Sequence, residues 1–210
     1  IMSEPDFGTA VTLGAVVLIM NFVAGVRLSY LIGIFVAIIP VLYLVVTSFA
    51  YMTRRIMIFL DPWKDPNGAG FQTIQSYIAF GSGGIWGVGL GEGRQKLFYL
   101  PEAHTDFIFS VIGEELGLVG VGIVILLYIV FLISGLKVAT KAKDLFGTYL
   151  ALGLTFMICL QAVINMGVVL GILPPKGLPL PFISYGGTSL IVSMVSVGII
   201  LNIYIRSCER

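Results

Sequence analysis

Five apolar runs constrain the fold of this 210-residue chain more than any other feature. A transmembrane helix needs about 20 mainly apolar residues, and five segments meet this requirement. They are 7–26, 30–52, 107–136, 147–171 and 188–205. Hydrophobic residues make up 58% of the chain and charged residues 11%, against about 25% charged in a soluble domain. The pattern predicts an all-α polytopic membrane protein in which residues 1–210 form a single membrane domain with about five transmembrane helices.

A sixth apolar segment, 74–91, does not qualify as a span. It is short, contains Gln75 and Ser82, and is rich in glycine. Irregular backbone at membrane depth is tolerated only where protein covers it or where it lines water. We therefore expect a partly helical re-entrant or interfacial segment inside a large outer loop.

Lysine and arginine residues in short loops indicate the orientation of the spans. The loop 137–146 contains Lys137, Lys141 and Lys143, and the tail contains Arg206 and Arg210, so both, including the C-terminus, are expected in the cytoplasm. The loops 53–106 and 172–187 are then extracytoplasmic. The first of these also carries basic residues, against the simple charge rule, and an anionic ligand would account for them.

Net charge and cysteine content exclude several other classes of protein. The formal net charge of +1 gives no indication of a nucleic-acid partner. Cys159 and Cys208 have neither the spacing of a metal site nor that of a disulfide framework.

Ionisable residues cluster where the third predicted span begins, and such residues beside a span are costly and therefore functional candidates. Glu102, His104 and Asp106 lie at its edge, and Glu114 lies inside it. Thr105 is a plausible N-cap, which would place Asp106 in the first helical turn, near the positive end of the helix dipole. A helix-stabilising aspartate is the alternative to a catalytic one.

Two further features lie near the other outer loop. Gln161 and Asn165 are four residues apart on the fourth span and share one face, which is typical of interhelical hydrogen bonding. The following segment contains four prolines, so 172–187 cannot be regular helix. We expect an ordered, partly re-entrant loop that presents Lys176, Ser184 and Tyr185 to a ligand.

The motifs resemble the SEDS family (FtsW/RodA/SpoVE), the polytopic peptidoglycan glycosyltransferases. The main one is LPEAHTDFIF at 100–109, followed by GEELGLVG at 113–120. Four further blocks keep the family's order: EPDFGTA at 4–10, DPWKDPNGAGFQTIQS at 61–76, IAFGSGG at 78–84, and LPPKGLPLPFISYGGTSL at 173–190. PEAHTDF and PPKG resemble the division branch (FtsW) more than the elongation branch, and the chain corresponds to the C-terminal half of such a protein.

The resemblance implies polymerisation of lipid II, in which a sugar hydroxyl displaces undecaprenyl pyrophosphate. Asp106 matches the motif aspartate and is the candidate base. Candidate substrate-binding residues are Lys176, Arg54, Arg94, Lys96, His104, Glu102 and Ser184. The alternatives for the basic residues are snorkelling to the interface, and for His104 a structural hydrogen bond. Asp6 and Glu4 are candidate ligands of a divalent cation (Mg or Mn) or, alternatively, partners of loop arginines.

The resemblance also implies partners and a location. These are a class B penicillin-binding protein transpeptidase, other divisome proteins, the lipid bilayer, and the bacterial cytoplasmic membrane at the septum. Two other functions stay open from the residues: a flippase for the same precursor, using polar residues such as Glu114 and Asn165 inside the membrane, and a scaffold that recruits a partner. A transporter should concentrate polar residues near the midplane, whereas here they gather at one face.

Overall fold

The computed structural model describes residues 7–48, 50–68, 70–93 and 104–208. The helices are α1 (Phe7–Val23), α2 (Leu28–Ser48), α3 (Ala50–Leu60), α4 (Phe71–Gly83), α5 (Ile108–Lys141), α6 (Leu145–Val169) and α7 (Gly187–Cys208), with a 3-10 helix at Pro62–Lys64. The described residues contain no strand, in agreement with the predicted all-α class.

Three of the predicted spans are confirmed by length and composition among the described residues. α5, α6 and α7 are each long and apolar enough to cross a membrane. The first two predicted spans correspond to α1 and α2, whose apolar parts within the described residues are the shorter segments Thr9–Val23 and Leu28–Pro40. The side of the membrane on which each loop lies stays a prediction.

α6 is the central helix of the bundle, and α1, α5 and α7 pack against it. Its buried residues are mostly small or apolar, including Ala151, Ala162 and Val169, which are fully buried. The largest hydrophobic cluster joins α6 to α5 and to the loop before α7, through Phe107, Phe109, Met166 and Leu180. The core therefore lies directly beneath the segments that carry the candidate site residues.

The prediction of one continuous helix over 107–136 is wrong at Gly117. Its backbone has φ 64° and ψ −160°, a conformation that is essentially restricted to glycine, so it divides α5 into two arms, 108–116 and 118–141. Before the break, α4 packs closely against α5, because a β-carbon at Gly83 would lie 2.0 Å from the carbonyl oxygen of Gly113.

The glycine-rich loop after α4 fills the break in α5. The amides of Leu118 and Val119 donate to the carbonyls of Gly84 (3.0 Å) and Ile85 (3.3 Å). In return, the amides of the loop residues 88 and 89 donate to the carbonyls of Glu114 (3.0 Å) and Glu115 (3.1 Å). Backbone groups released by the break are thus paired, as an apolar surrounding requires.

The segment 74–91 is partly helical, as predicted, and its interfacial or re-entrant position stays a prediction. α4 is helical, and the loop after it is not. Trp86 and Leu90 of this loop are 82% and 77% exposed. Exposed tryptophan and leucine side chains on a partly helical segment suit the membrane interface.

The start of the outer loop differs from the prediction. A loop was expected from residue 53 onward, whereas α3 extends the helical structure through Leu60. The arginine pair in this segment, Arg54 and Arg55, favoured a loop over a helix in the sequence. Its apolar residues nevertheless follow a helical period, and Ile58 is buried.

Candidate functional site

The candidate site is centred on the turn 104–107, which precedes α5. Phe107 anchors the turn, because its side chain is 4% exposed and lies in the largest hydrophobic cluster. The predicted capping by Thr105 is wrong: Phe107 occupies the N-cap and α5 begins at Ile108. Asp106 therefore precedes the first helical turn instead of lying in it, and its side chain is half-buried.

Three consecutive carbonyl groups of this turn accept hydrogen bonds from elsewhere in the chain. The carbonyl of His104 accepts from the amide of Tyr185 at 2.8 Å. The carbonyl of Thr105 accepts from Oγ of Ser184 at 2.5 Å. The carbonyl of Asp106 accepts from Nδ2 of Asn165 at 2.8 Å. The turn is consequently fixed against both the loop before α7 and the central helix α6.

The carboxylate of Asp106 lies against the same loop. A β-carbon built on Gly177 would stand 2.8 Å from Oδ2 of Asp106. Lys176, the residue before this glycine, is half-buried. The fold thus brings Asp106 against the glycine of the Pro-Pro-Lys-Gly motif. The roles of Asp106 as a base and of Lys176 as a phosphate-binding cation stay predictions.

The loop before α7 enters the bundle as an ordered, non-helical segment, as predicted. Leu180 is fully buried, and the hydroxyl of Tyr128 donates to the carbonyl of Pro181. Phe182 has a positive φ of 68°, which is rare for an aromatic residue, and its ring packs edge-on against Phe131 with a centroid distance of 6.1 Å. Such a backbone persists only where its surroundings hold it.

An open cavity of about 620 Å³ lies beside the turn. It is lined by His104, Ile108, residues 182–187 and Leu190. Its volume is within the range of about 300–1,000 Å³ that small-molecule sites occupy. Two of the predicted substrate-binding residues, His104 and Ser184, line it. Asp106 belongs to the same turn as His104 but is not one of the lining residues.

Ser184 has a structural task besides any contact with a ligand. Its hydroxyl donates to Thr105 and accepts from the amide of Leu180 at 2.7 Å. The single proton of the hydroxyl is therefore already used within the protein, so a substrate can only donate to this oxygen. Its role in substrate binding stays a prediction.

For the remaining predicted site residues, the structure describes at most the backbone. The backbone of Arg54 lies in α3. Arg94, Lys96, Glu102, Asp6 and Glu4 lie outside the described residues. Within the described ranges, no cluster of three or more histidine, cysteine or acidic residues is arranged to hold a metal ion. The candidate divalent cation consequently has no donor set in the described part of the chain, and no step is assigned to it.

The sequence interpretation of Gln161 and Asn165 was right about their shared face and wrong about their partners. Instead of joining two helices, Gln161 donates to the carbonyl of Pro179 at 2.9 Å, and Asn165 donates to the carbonyl of Leu178 at 2.6 Å as well as to Asp106. The available signal was the proline-rich loop itself, whose carbonyls have few local amide donors. Side-chain amides on the adjacent helix supply these donors.

Glu114 and Glu115 are neighbours in the N-terminal arm of α5. Both carboxylates lie close to Gly93. A β-carbon at Gly93 would lie 3.0 Å from Oε2 of Glu114 and 2.9 Å from Oε1 of Glu115. Glu114 is 3% exposed. The end of the glycine-rich loop therefore lies against the N-terminal arm of α5.

Together these features define a multi-pass α-helical membrane protein with an anchored acidic turn and a cavity at one end of its central helices. A family model described as a cell cycle protein, FtsW/RodA/SpoVE, matches residues 1–208. The chain belongs to this family, and the resemblance seen in its motifs is confirmed.

Curated relatives agree with this assignment. The probable peptidoglycan glycosyltransferase FtsW of Geobacter metallireducens is 52% identical over 206 residues, which are 98% of this chain and 55% of the relative. A protein of the same name from Trichlorobacter lovleyi is 54% identical over 97% of this chain and 53% of its own length. The stage V sporulation protein E of Bacillus subtilis is 46% identical over 97% and 56%. The chain thus spans about half the length of the curated relatives it matches.

Solved structures share the fold. A structure concerned with the coordination of polymerization and crosslinking by a peptidoglycan synthase complex matches with a TM-score of 0.79 at 29% identity, over 100% of this chain and 58% of the other. A crystal structure of a variant of the Thermus thermophilus rod-shape-determining protein RodA matches with a TM-score of 0.63 at 26% identity, over 99% and 52%.

Proposed function

We propose that the protein to which this chain belongs is a peptidoglycan glycosyltransferase that polymerises lipid II during cell division. The relatives named as probable glycosyltransferases, at 52% and 54% identity, support the activity. The observation that carries the proposal is the placement of Asp106 on a turn whose carbonyls are held by Ser184 and Asn165, with its carboxylate against Gly177. Position and rigidity are what a general base requires.

In the proposed reaction, Asp106 accepts the proton of the attacking sugar hydroxyl. The hydroxyl oxygen forms a bond to the anomeric carbon of the second lipid-linked sugar. The bond from that carbon to the diphosphate oxygen breaks, and undecaprenyl pyrophosphate leaves with the electron pair. A positioned base of this kind contributes about 10²–10⁴-fold to the rate.

The leaving diphosphate requires nearby positive charge. Lys176 supplies it in the proposal, because it precedes the glycine that contacts Asp106 and its side chain is half-buried. Fixed cations at a transferring phosphate stabilise the charge that develops on it. Arg54, Arg94 and Lys96, from the segment 53–106 that was predicted as the other outer loop, are further candidates.

The cavity beside the turn suits the sugar part of the substrate. His104 and Ser184 offer polar atoms, and Phe182, Ile183 and Leu190 offer apolar surface. An open cavity lined by both polar and apolar residues fits a ligand that is part sugar and part lipid. We place the two sugars here and the polyprenyl chains in the bilayer.

The proposed partner is a class B penicillin-binding protein transpeptidase, with the complex in the bacterial cytoplasmic membrane at the septum. The structural match to a peptidoglycan synthase complex that couples polymerization with crosslinking supports a partner of this kind. The relatives named FtsW support a role in division.

A flippase for the same lipid precursor is the competing function. That alternative relied on polar residues inside the membrane such as Glu114 and Asn165. Both amide hydrogens of Asn165, however, are committed to the carbonyls of Asp106 and Leu178. The arrangement favours a residue that shapes the site over one that lines a transport path.

The test of the proposed function uses the full-length protein with its transpeptidase partner in proteoliposomes that contain fluorescent lipid II. Glycan chains resolved by gel electrophoresis are the expected product. Transfer of the labelled lipid between leaflets without any polymer would contradict the glycosyltransferase and favour the flippase.

A further inference from the structure

Asn165 combines complete burial with an unusual distribution of hydrogen bonds. It is 1% exposed and lies near the C-terminal end of α6. Both hydrogens of its amide are used, one on the carbonyl of Asp106 at 2.8 Å and the other on the carbonyl of Leu178 at 2.6 Å. One side chain therefore joins the acidic turn to the loop that carries Lys176.

The orientation of this amide follows from its partners. A flipped amide would place Oδ1 against two carbonyl oxygens, which cannot donate, so Nδ2 must face them. As a result, Oδ1 is buried without a hydrogen-bond partner among the described residues. Buried acceptors of this kind are uncommon and costly, and they call for an explanation other than fold stability.

We propose that Asn165 is a positioning residue of the reaction, which sets the distance between the Asp106 carboxylate and the loop of Lys176. This inference rests on the proposed function. Asn165 acts through the backbone: it holds the carbonyl of the base itself, whereas Ser184 holds the carbonyl of the preceding Thr105. Without Asn165, the carbonyls of His104 and Thr105 would keep their hydrogen bonds. The carbonyl of Asp106, the residue proposed to accept the proton, would lose its hydrogen bond.

Gln161 provides a matched control on the same helix. It lies one turn earlier and donates a hydrogen bond to the same loop, to the carbonyl of Pro179 at 2.9 Å. Within the described residues it makes no hydrogen bond to the acidic turn. A variant of Gln161 thus removes an amide-to-loop contact while leaving the hold on Asp106 in place.

The experiment measures lipid II polymerisation by the full-length complex over a range of substrate concentrations. Asn165→Ala should lower kcat about 10-fold to 100-fold with little change in KM, because a small displacement of a reacting group has that effect. Asn165→Ser keeps one hydrogen-bond donor, so its kcat should lie between that of Asn165→Ala and that of the wild type. For Gln161→Ala, kcat should fall by no more than about fivefold, which corresponds to the loss of one ordinary hydrogen bond.

Protein levels and melting temperatures in detergent accompany the kinetics. A wild-type kcat for Asn165→Ala, or a loss that appears only in KM, would overturn the positioning role. So would failure of both Asn165 variants to accumulate while Gln161→Ala accumulates normally, since Asn165 would then serve folding. Absence of polymer with the wild-type complex would instead overturn the proposed function and this inference with it.

Discussion

Gly177 and Asp106 are in direct contact: a β-carbon on residue 177 would stand 2.8 Å from Oδ2 of the aspartate. The contact brings a Pro-Pro-Lys-Gly loop and a His-Thr-Asp-Phe turn together across about 70 residues of sequence, and it makes the glycine a direct probe of the site.

Gly177→Ala should lower kcat for polymerisation by about 10-fold or more, because the new methyl group displaces either the carboxylate or the loop. Gly198→Ala is the control, since its β-carbon would meet nothing within 4 Å in α7. Polymerisation assays on the two variants make the comparison. Equal activity of both would show that the Asp106 contact does not matter for turnover.

Lys176→Gln should reduce kcat more than it raises KM, because the lysine acts on charge that develops on the leaving diphosphate. The loss of one fixed donor of this kind costs about 10²–10³-fold. Lys141→Gln, at the C-terminal end of α5, is the charge-matched control and should retain activity. A purely KM effect of Lys176→Gln would assign the lysine to ground-state binding.

Gly117→Ala should destabilise the protein by more than about 2 kcal/mol, because residue 117 has a conformation reserved for glycine and its β-carbon would lie 2.3 Å from the amide nitrogen of Gly87. Gly122→Ala has free space on the same helix and should stabilise by up to about 1 kcal/mol. Melting temperatures in detergent test the pair. Identical values would mean that the break in α5 is not as described.

Tyr128→Phe should destabilise the protein by about 1–3 kcal/mol, since it leaves the buried carbonyl of Pro181 without its donor. Tyr30→Phe, at the exposed start of α2, is the control and should have little effect. Thermal denaturation of the purified variants provides the measurement. Wild-type stability of Tyr128→Phe would remove this hydrogen bond from the forces that hold the loop.

Apolar run length was sufficient to predict the helical class and the positions of α5, α6 and α7. It could not predict the break at Gly117, because a periodic pattern assumes a continuous helix and the break depends on hydrogen bonds to a loop about 30 residues earlier. The helix α3 was missed because its two arginines were taken as loop residues.

The chemistry of the site was predictable in part, and its assembly was not. The charged residues of the motif marked Asp106 and Lys176, but the residues that hold the turn are joined to it by hydrogen bonds over 59 and 79 residues of sequence. Such contacts link side chains to backbone carbonyls, and any residue type supplies a carbonyl. Local sequence patterns therefore do not predict which side chain bonds to which carbonyl.

The most direct test of the central claim compares Asp106→Asn with the wild type in polymerisation of lipid II by the full-length protein and its partner. Asp144→Asn is the matched control, because Asp144 caps α6 at its N-terminus and asparagine caps equally well. We expect the polymerisation rate to fall by at least about 100-fold for Asp106→Asn and to stay normal for Asp144→Asn. Polymer formed at the wild-type rate by Asp106→Asn would contradict the assignment of Asp106 as the base.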